Sequence, residues 1–227
     1  MTKLFSKLPL ILAAVFFGIA LNAIIKHKPN IKQNVRYRVN IAQEVAPHVV
    51  AFKSPKYDYA RLATGFYLKM YGRNYIVTNR HVCEIHNNKE GGSIVFGNSL
   101  ETIIKIDTEH DLCLVTSQRT DGLELAEETP QRLEDIYLVG FPRGIGKVIR
   151  KGHIIEELTI NAHWIKKTVP TYLISTITYG GNSGSPVVNK YGEVIGVLFA
   201  GSPRYVTEGL MVPLHNLKKF LYGAIVE

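Results

Sequence analysis

The sequence predicts an all-β domain, a barrel or a sandwich, behind an apolar N-terminal segment. Three observations carry this. Short runs rich in Val, Ile, Thr and Tyr recur from His48 onward, each broken by Gly, Pro or Asn. Such composition suits half-buried strands separated by turns. The runs follow one another closely, with no helical periodicity between them, which disfavours a βαβ sheet. Finally, 46% apolar and 20% charged residues belong to a chain that packs a core, not to a disordered or fibrous one. A length of 227 residues holds one ordinary domain and an appendage.

The appendage comes first. Leu8–Ile25, LPLILAAVFFGIALNAII, runs 18 residues without a charge, the lower limit for a helix that spans a bilayer. A cleaved signal peptide is the alternative. Lys3 and Lys7 suit its basic start, but the apolar run is long and no clean A-x-A site follows. Residues 1–25 therefore read as an uncleaved membrane anchor. Lys3 and Lys7 argue for an inside N-terminus, whereas Lys26, Lys28, Lys32, Arg36 and Arg38 after the run argue the opposite way. These seven basic residues, with no acid among residues 1–39, hold nearly all of the net charge of +8. The remainder carries 20 basic and 19 acidic residues. A nucleic-acid surface needs a basic patch on the folded part, and none is visible.

Residues 26–44 read as a basic linker, ending in a short helix over Ile41–Val45. His48–Ser54 is a strand. Ala63–Val82 is a hairpin with arms Gly65–Met70 and Tyr75–Thr78 and a turn over Tyr71–Asn74. GSIVFG and ETIIKIDTEHDLCLVTS supply further strands. Arg119–Arg132 is acidic and turn-rich, a surface connector between two halves. Beyond it, IYLVGFPRG, KVIRKGHIIEE, TYLISTIT, SPVVN, EVIGVLFAG and GLMVPL alternate with turn signals. Leu214, Leu217, Phe220 and Leu221 then fall on one helical face, with Lys218 and Lys219 on the other. That helix is expected to pack on the domain.

Several features read as bland. Cys83 and Cys113 make no disulfide framework and no C-x-x-C pair, and read as two buried small apolar side chains. His86, His110, His153 and His163 form no metal spacing, so neither a metal nor a cofactor is expected. GFPRGIG has spaced glycines but no helical pattern after it. Trp164 is expected to pack.

One stretch asks for chemistry. YGGNSGSPVVN, Tyr179–Asn189, sets Ser183 among glycines just before an apolar run. A serine hydroxyl is a weak nucleophile that needs a base and an oxyanion site. Glycines let the backbone aim N–H groups at one point, and those of Gly181 and Ser183 can converge so. Taken alone, the stretch is equally a glycine-rich turn. His81 leaves an apolar strand in YIVTNRHVCE, and Asp111 precedes one in TEHDLCLVTS. Asp107 is a second candidate acid, but it precedes no such strand.

VTNRHV, HDLCLV and GNSGSPVVN together resemble the three signature segments of trypsin-like (chymotrypsin-fold) serine peptidases, in that family's chain order. LVGFPRGIGKVIRKGHI resembles a hairpin of the bacterial HtrA-type branch. GEVIGVLFAG and GLMVPLHNLKKFL resemble its cleft strand and its closing strand and helix. The resemblance covers residues 45–227. It implies two six-stranded antiparallel barrels, about 45–118 and about 132–213, and a closing helix over 214–222, without a PDZ domain after it.

The resemblance also implies roles. Ser183 is the nucleophile, His81 the general base and acid, and Asp111 the residue that orients His81. Gly181 and Ser183 N–H groups form the oxyanion hole. The specificity pocket has its floor at Ile177 and walls near Gly201 and Gly209, and Phe199, Ala200 and Gly201 pair with a peptide or protein substrate. An apolar floor implies apolar or small P1 residues. Asn182 stands where members activated by cleavage carry an aspartate, so no zymogen-type activation is expected. The disulfides of secreted animal relatives are expected to be missing. Anchored relatives and the short N-terminal tail imply an extracytoplasmic, periplasmic domain; secretion after signal cleavage is the alternative. The competing functional reading is a catalytically silent protease-fold module that binds peptides or a partner.

Overall fold

A computed structural model of the protein describes residues 37–54, 60–86, 89–162 and 167–226. The proposed anchor, most of the linker, His163 and Trp164 lie outside the described residues. Among the described residues no helix is long and apolar enough to cross a membrane.

Strands β1 (Val49–Ser54), β2 (Ala60–Met70), β3 (Arg73–Thr78), β4 (Ser93–Phe96), β5 (Ser99–Asp107) and β6 (Leu112–Thr116) close one barrel. Strands β7 (Asp135–Gly140), β8 (Val148–Ala162), β9 (Lys167–Ser175), β10 (Pro186–Val188), β11 (Val194–Gly201) and β12 (Glu208–Pro213) close the second. Pairing within both is antiparallel, in the orders β1-β2-β3-β6-β5-β4 and β10-β11-β12-β9-β8-β7. The two six-stranded barrels implied by the resemblance are therefore present. Helices α1 (Ile41–Glu44) and α2 (Arg80–Cys83) are single turns, and α3 (Leu214–Val226) closes the chain.

The layering explains the unbroken apolar runs. In β6, Cys113 and Val115 pack inside barrel one with Phe52, Ile76 and Phe96. Leu112 and Leu114 face the other way, into a layer that also holds Val139, Val197 and Phe199 of barrel two. Strand β11 mirrors this, with Ile195 and Leu198 inside barrel two and Val197 and Phe199 in the shared layer. A strand buried on both faces has no polar face to alternate with. Leu217 and Leu221 of α3 complete the shared layer.

Three elements differ from the expectation. The first hairpin turns on two residues, Tyr71 and Gly72, with φ of 49° and 74°, and Met70 pairs with Arg73. Two left-handed residues in succession match the strand twist, so four are not needed. The β8–β9 hairpin pairs out to Ala162 and Lys167; its outer arm is half-exposed and polar, which hid it from a search for apolar runs. The connector is not purely superficial. Leu123 and Ala126 are buried, and parallel bridges tie Leu123 to Leu68 and Leu125 to Val194, one on each barrel.

The reading of the cysteines is corrected. Cys83 and Cys113 form a disulfide, with Cα atoms 6.6 Å apart. The β3–β6 register sets Cys113 opposite Thr78, and α2 then folds back within reach of it. Thirty residues of sequence separation concealed that closeness.

Candidate active site

Strand β3 delivers His81. Asn79, extended at φ −84° and ψ 153°, breaks the strand and starts α2. Its Nδ2 donates to the Asp111 carbonyl at 3.0 Å, and Arg80 N–H donates to the same oxygen at 3.0 Å. Asp111 ends the turn between β5 and β6 in a left-handed conformation, φ 58°, which aspartate tolerates better than most residues.

The Asp111 side chain is wholly buried. A buried carboxylate requires donors to replace water. His81 supplies two: its backbone N–H reaches Oδ1 at 3.0 Å, and its ring Nδ1–H reaches Oδ2 at 2.7 Å. Arg80 Nε lies 3.9 Å from Oδ1. With Nδ1 committed as a donor, Nε2 is the basic nitrogen of the neutral ring. The His81 side chain is 40% exposed, so that nitrogen belongs to a group open to solvent.

Ser183 sits in a glycine-bounded turn. Asn182 N–H donates to Tyr179 O at 3.1 Å and Ser185 N–H to Asn182 O at 2.9 Å. Gly181 has φ +94°, and a Cβ on it would collide with the Phe141 carbonyl. Gly184 has φ +82°, and a Cβ there would collide with Thr64 O and Thr78 Oγ1. Only glycine fits either position. Among the described residues, neither the Gly181 nor the Ser183 N–H donates to another protein group.

The trypsin-like peptidase domain family matches residues 63–197, a span that includes His81, Asp111 and Ser183. The chain belongs to the trypsin-like peptidase family. Among curated proteins, a mitochondrial Do-like protease of Arabidopsis thaliana is 29% identical over 162 residues, 66% of this chain and 32% of its own length. An HtrA-like serine protease of Staphylococcus aureus is 28% identical over 171 residues, 65% of this chain and 21% of its own. The chain thus spans a third or less of these relatives. Among solved structures, the HtrA-type protease AlgW aligns with TM-score 0.69 at 18% identity, covering 82% of this chain and 62% of that one. The active form of the Rv3671c protease from M. tuberculosis aligns with TM-score 0.66 at 20% identity, covering 82% and 83%. Both likenesses are of fold.

Within this peptidase domain, Ser183 borders a cavity of 170 Å³ lined by Thr178, Tyr179, Gly180, Leu198, Ala200 and Gly201. Ala200 and Gly201 of the expected substrate strand are there. Phe199 is buried in the shared core layer instead. Gly209 pairs with Gly201. Ile177, the expected floor, does not line the cavity; Thr178 does. A Cβ on Gly201 or on Gly209 would press on Thr178 at 2.9 Å and 2.8 Å respectively. The Thr178 hydroxyl donates to Glu208 O at 3.1 Å. Larger cavities of 430 and 260 Å³, by Arg73 and by His110, are lined by none of His81, Asp111 and Ser183, although Asp107 lines the second.

Asp107, the second candidate acid, pairs elsewhere. His110 Nδ1 donates to it at 2.9 Å, and Asn216 Nδ2 of α3 donates to His110 Nε2 at 2.6 Å. Burial pushes the Asp107 carboxyl up, but bonds from the His110 ring and the Glu109 N–H outweigh it and hold it below its ordinary range. Sequence reading missed Thr64, Asn79 and Thr178. Thr64 lies inside a strand, Asn79 at the end of one and Thr178 in the loop after β9; each is a short polar residue that only its burial marks out.

Proposed function

We propose that the chain is a serine endopeptidase in which His81, Asp111 and Ser183 form the catalytic triad. The observation that carries this is the 2.7 Å bond from His81 Nδ1–H to the buried Asp111 carboxylate. In such a site Ser183 Oγ attacks the scissile carbonyl. His81 Nε2 accepts its proton and later gives it to the leaving amine. Asp111 holds the imidazole in the required tautomer and stabilises the imidazolium. The Gly181 and Ser183 N–H groups receive the oxyanion. The small cavity, with its Thr178 floor and Leu198 and Ala200 walls, suits a small or β-branched apolar P1 side chain, where a long Lys or Arg finds neither room nor an acid.

We further propose that residues 8–25 anchor the domain and that it faces an extracytoplasmic, oxidising compartment. The Cys83–Cys113 disulfide supports this, because such bonds persist outside reducing cytosol.

Labelling with a fluorophosphonate probe, mapped by mass spectrometry, tests the activity. The adduct is expected on Ser183 and is expected to vanish in Ser183→Ala and His81→Ala. A folded wild-type chain that takes no label would leave the peptide-binding module as the better reading. For topology, protease added to intact spheroplasts is expected to digest the domain; full protection would reverse the assignment.

A further inference from the structure

Thr64 occupies the middle of β2, opposite Ala51, in the first barrel. It is completely buried, and every polar group it owns is spent on the serine side of the cleft or beside it. Its N–H donates to Ser183 O at 2.9 Å. Its hydroxyl donates to Gly181 O at 2.8 Å and accepts from Phe141 N–H at 3.1 Å. Its own carbonyl accepts from Thr78 Oγ1 at 2.7 Å. One barrel-one residue therefore grips the carbonyls of both Gly181 and Ser183.

The consequence follows from peptide planarity. Gly181 Cα joins two rigid units. The first, carrying the Gly181 N–H, is held through Gly180 O by Arg143 N–H at 2.6 Å. The second is held through Gly181 O by the Thr64 hydroxyl. A glycine has no side chain to restrict φ and ψ, so these two anchors set where its N–H points.

We propose that Thr64 is the positioning residue of the oxyanion hole, aligning the Gly181 N–H from across the barrel interface through its side-chain hydroxyl. The inference rests on the serine peptidase reading. Thr64 touches neither substrate nor reacting atoms, so it acts on the rate of acylation and not on ground-state binding.

The test compares Thr64→Val, Thr64→Ser and Thr64→Ala in the full chain. Ser and Ala differ only by the hydroxyl and keep the comparison sound if the bulkier Val fails to fold. The readouts are the second-order rate of fluorophosphonate labelling at Ser183, and kcat and KM on a peptide p-nitroanilide with Val at P1. Deleting one oxyanion donor costs about 10²–10³ in kcat, so misaligning one is expected to cost roughly 10- to 100-fold in Val and Ala. KM is expected to be unchanged, and Ser to restore the rate. A folded Ala variant that reacts as fast as Ser would overturn the inference, as would a loss confined to KM. A wild type that never labels would instead overturn the peptidase reading on which the inference stands.

Discussion

A carboxylate sealed from water persists only where donors replace its hydration, and Asp111 meets that condition with the residue it is proposed to serve. His81 satisfies both of its oxygens, so orientation and solvation are one arrangement. Asp111→Asn keeps the shape but presents an amide where a proton acceptor is needed. It is expected to lower kcat by about 10⁴ with KM little changed, as measured on the Val-P1 peptide. Gly184 shows the opposite economy, since its importance lies in the missing side chain. Gly184→Ala must hold a left-handed residue at a cost of about 1–3 kcal/mol, and its Cβ meets Thr64 O and Thr78 Oγ1. A urea midpoint equal to wild type would show that the turn relaxes freely. The turn around Ser183 was legible in the sequence because its glycines advertise it, and the role proposed for the serine came from the resemblance of three separate segments. Thr64 was not, because an isolated threonine in a strand looks like any other.

Between elements, the disulfide and a polar network brace the loops that carry His81 and Asp111. Cys83 lies two residues after His81, and Cys113 two residues after Asp111. For a loop of 30 residues, chain-entropy reasoning gives about 3–4 kcal/mol of stabilisation. Reduction, or Cys83→Ala with Cys113→Ala, is expected to remove most of it and to slow Ser183 labelling, which parallel unfolding and labelling assays would show. On the other side of the same turn, Asp107, His110 and Asn216 join β5 to α3. Because the folded Asp107 pKa lies below its ordinary value of 3.8, its contribution is present above that pH. It is lost as pH falls through the lower, folded value. Wild type should therefore lose more stability than Asp107→Asn as pH falls below about 3.8, and parallel loss would refute the assignment. The helix itself was readable from Leu214, Leu217 and Leu221. Its tie to the Asp111 turn was not, since 106 residues separate His110 from Asn216.

For the whole molecule, the site depends on two barrels that share one apolar layer. His81 and Asp111 come from the first and Ser183 from the second. Asn182 is buried beside Gly140, and no new N-terminus is needed to complete a charge pair there. A chain beginning at residue 37 is accordingly expected to label at Ser183 at the same rate as the full chain. A rate that rises only after N-terminal trimming would show activation by cleavage. The order of strands along the chain, the closing helix and the near-neutral folded part were determined by local sequence alone, and the three candidate reactive residues by the order of their segments along the chain. Strand alternation, glycine turns and charge are written within a few neighbouring residues. The disulfide, the presence of Thr178 and not Ile177 on the cavity beside Ser183, the buried connector and the grip of Thr64 on the serine loop were decided only by tertiary structure. Each joins segments far apart in the chain, and barrel closure and register, which no local pattern encodes, bring them within bonding distance.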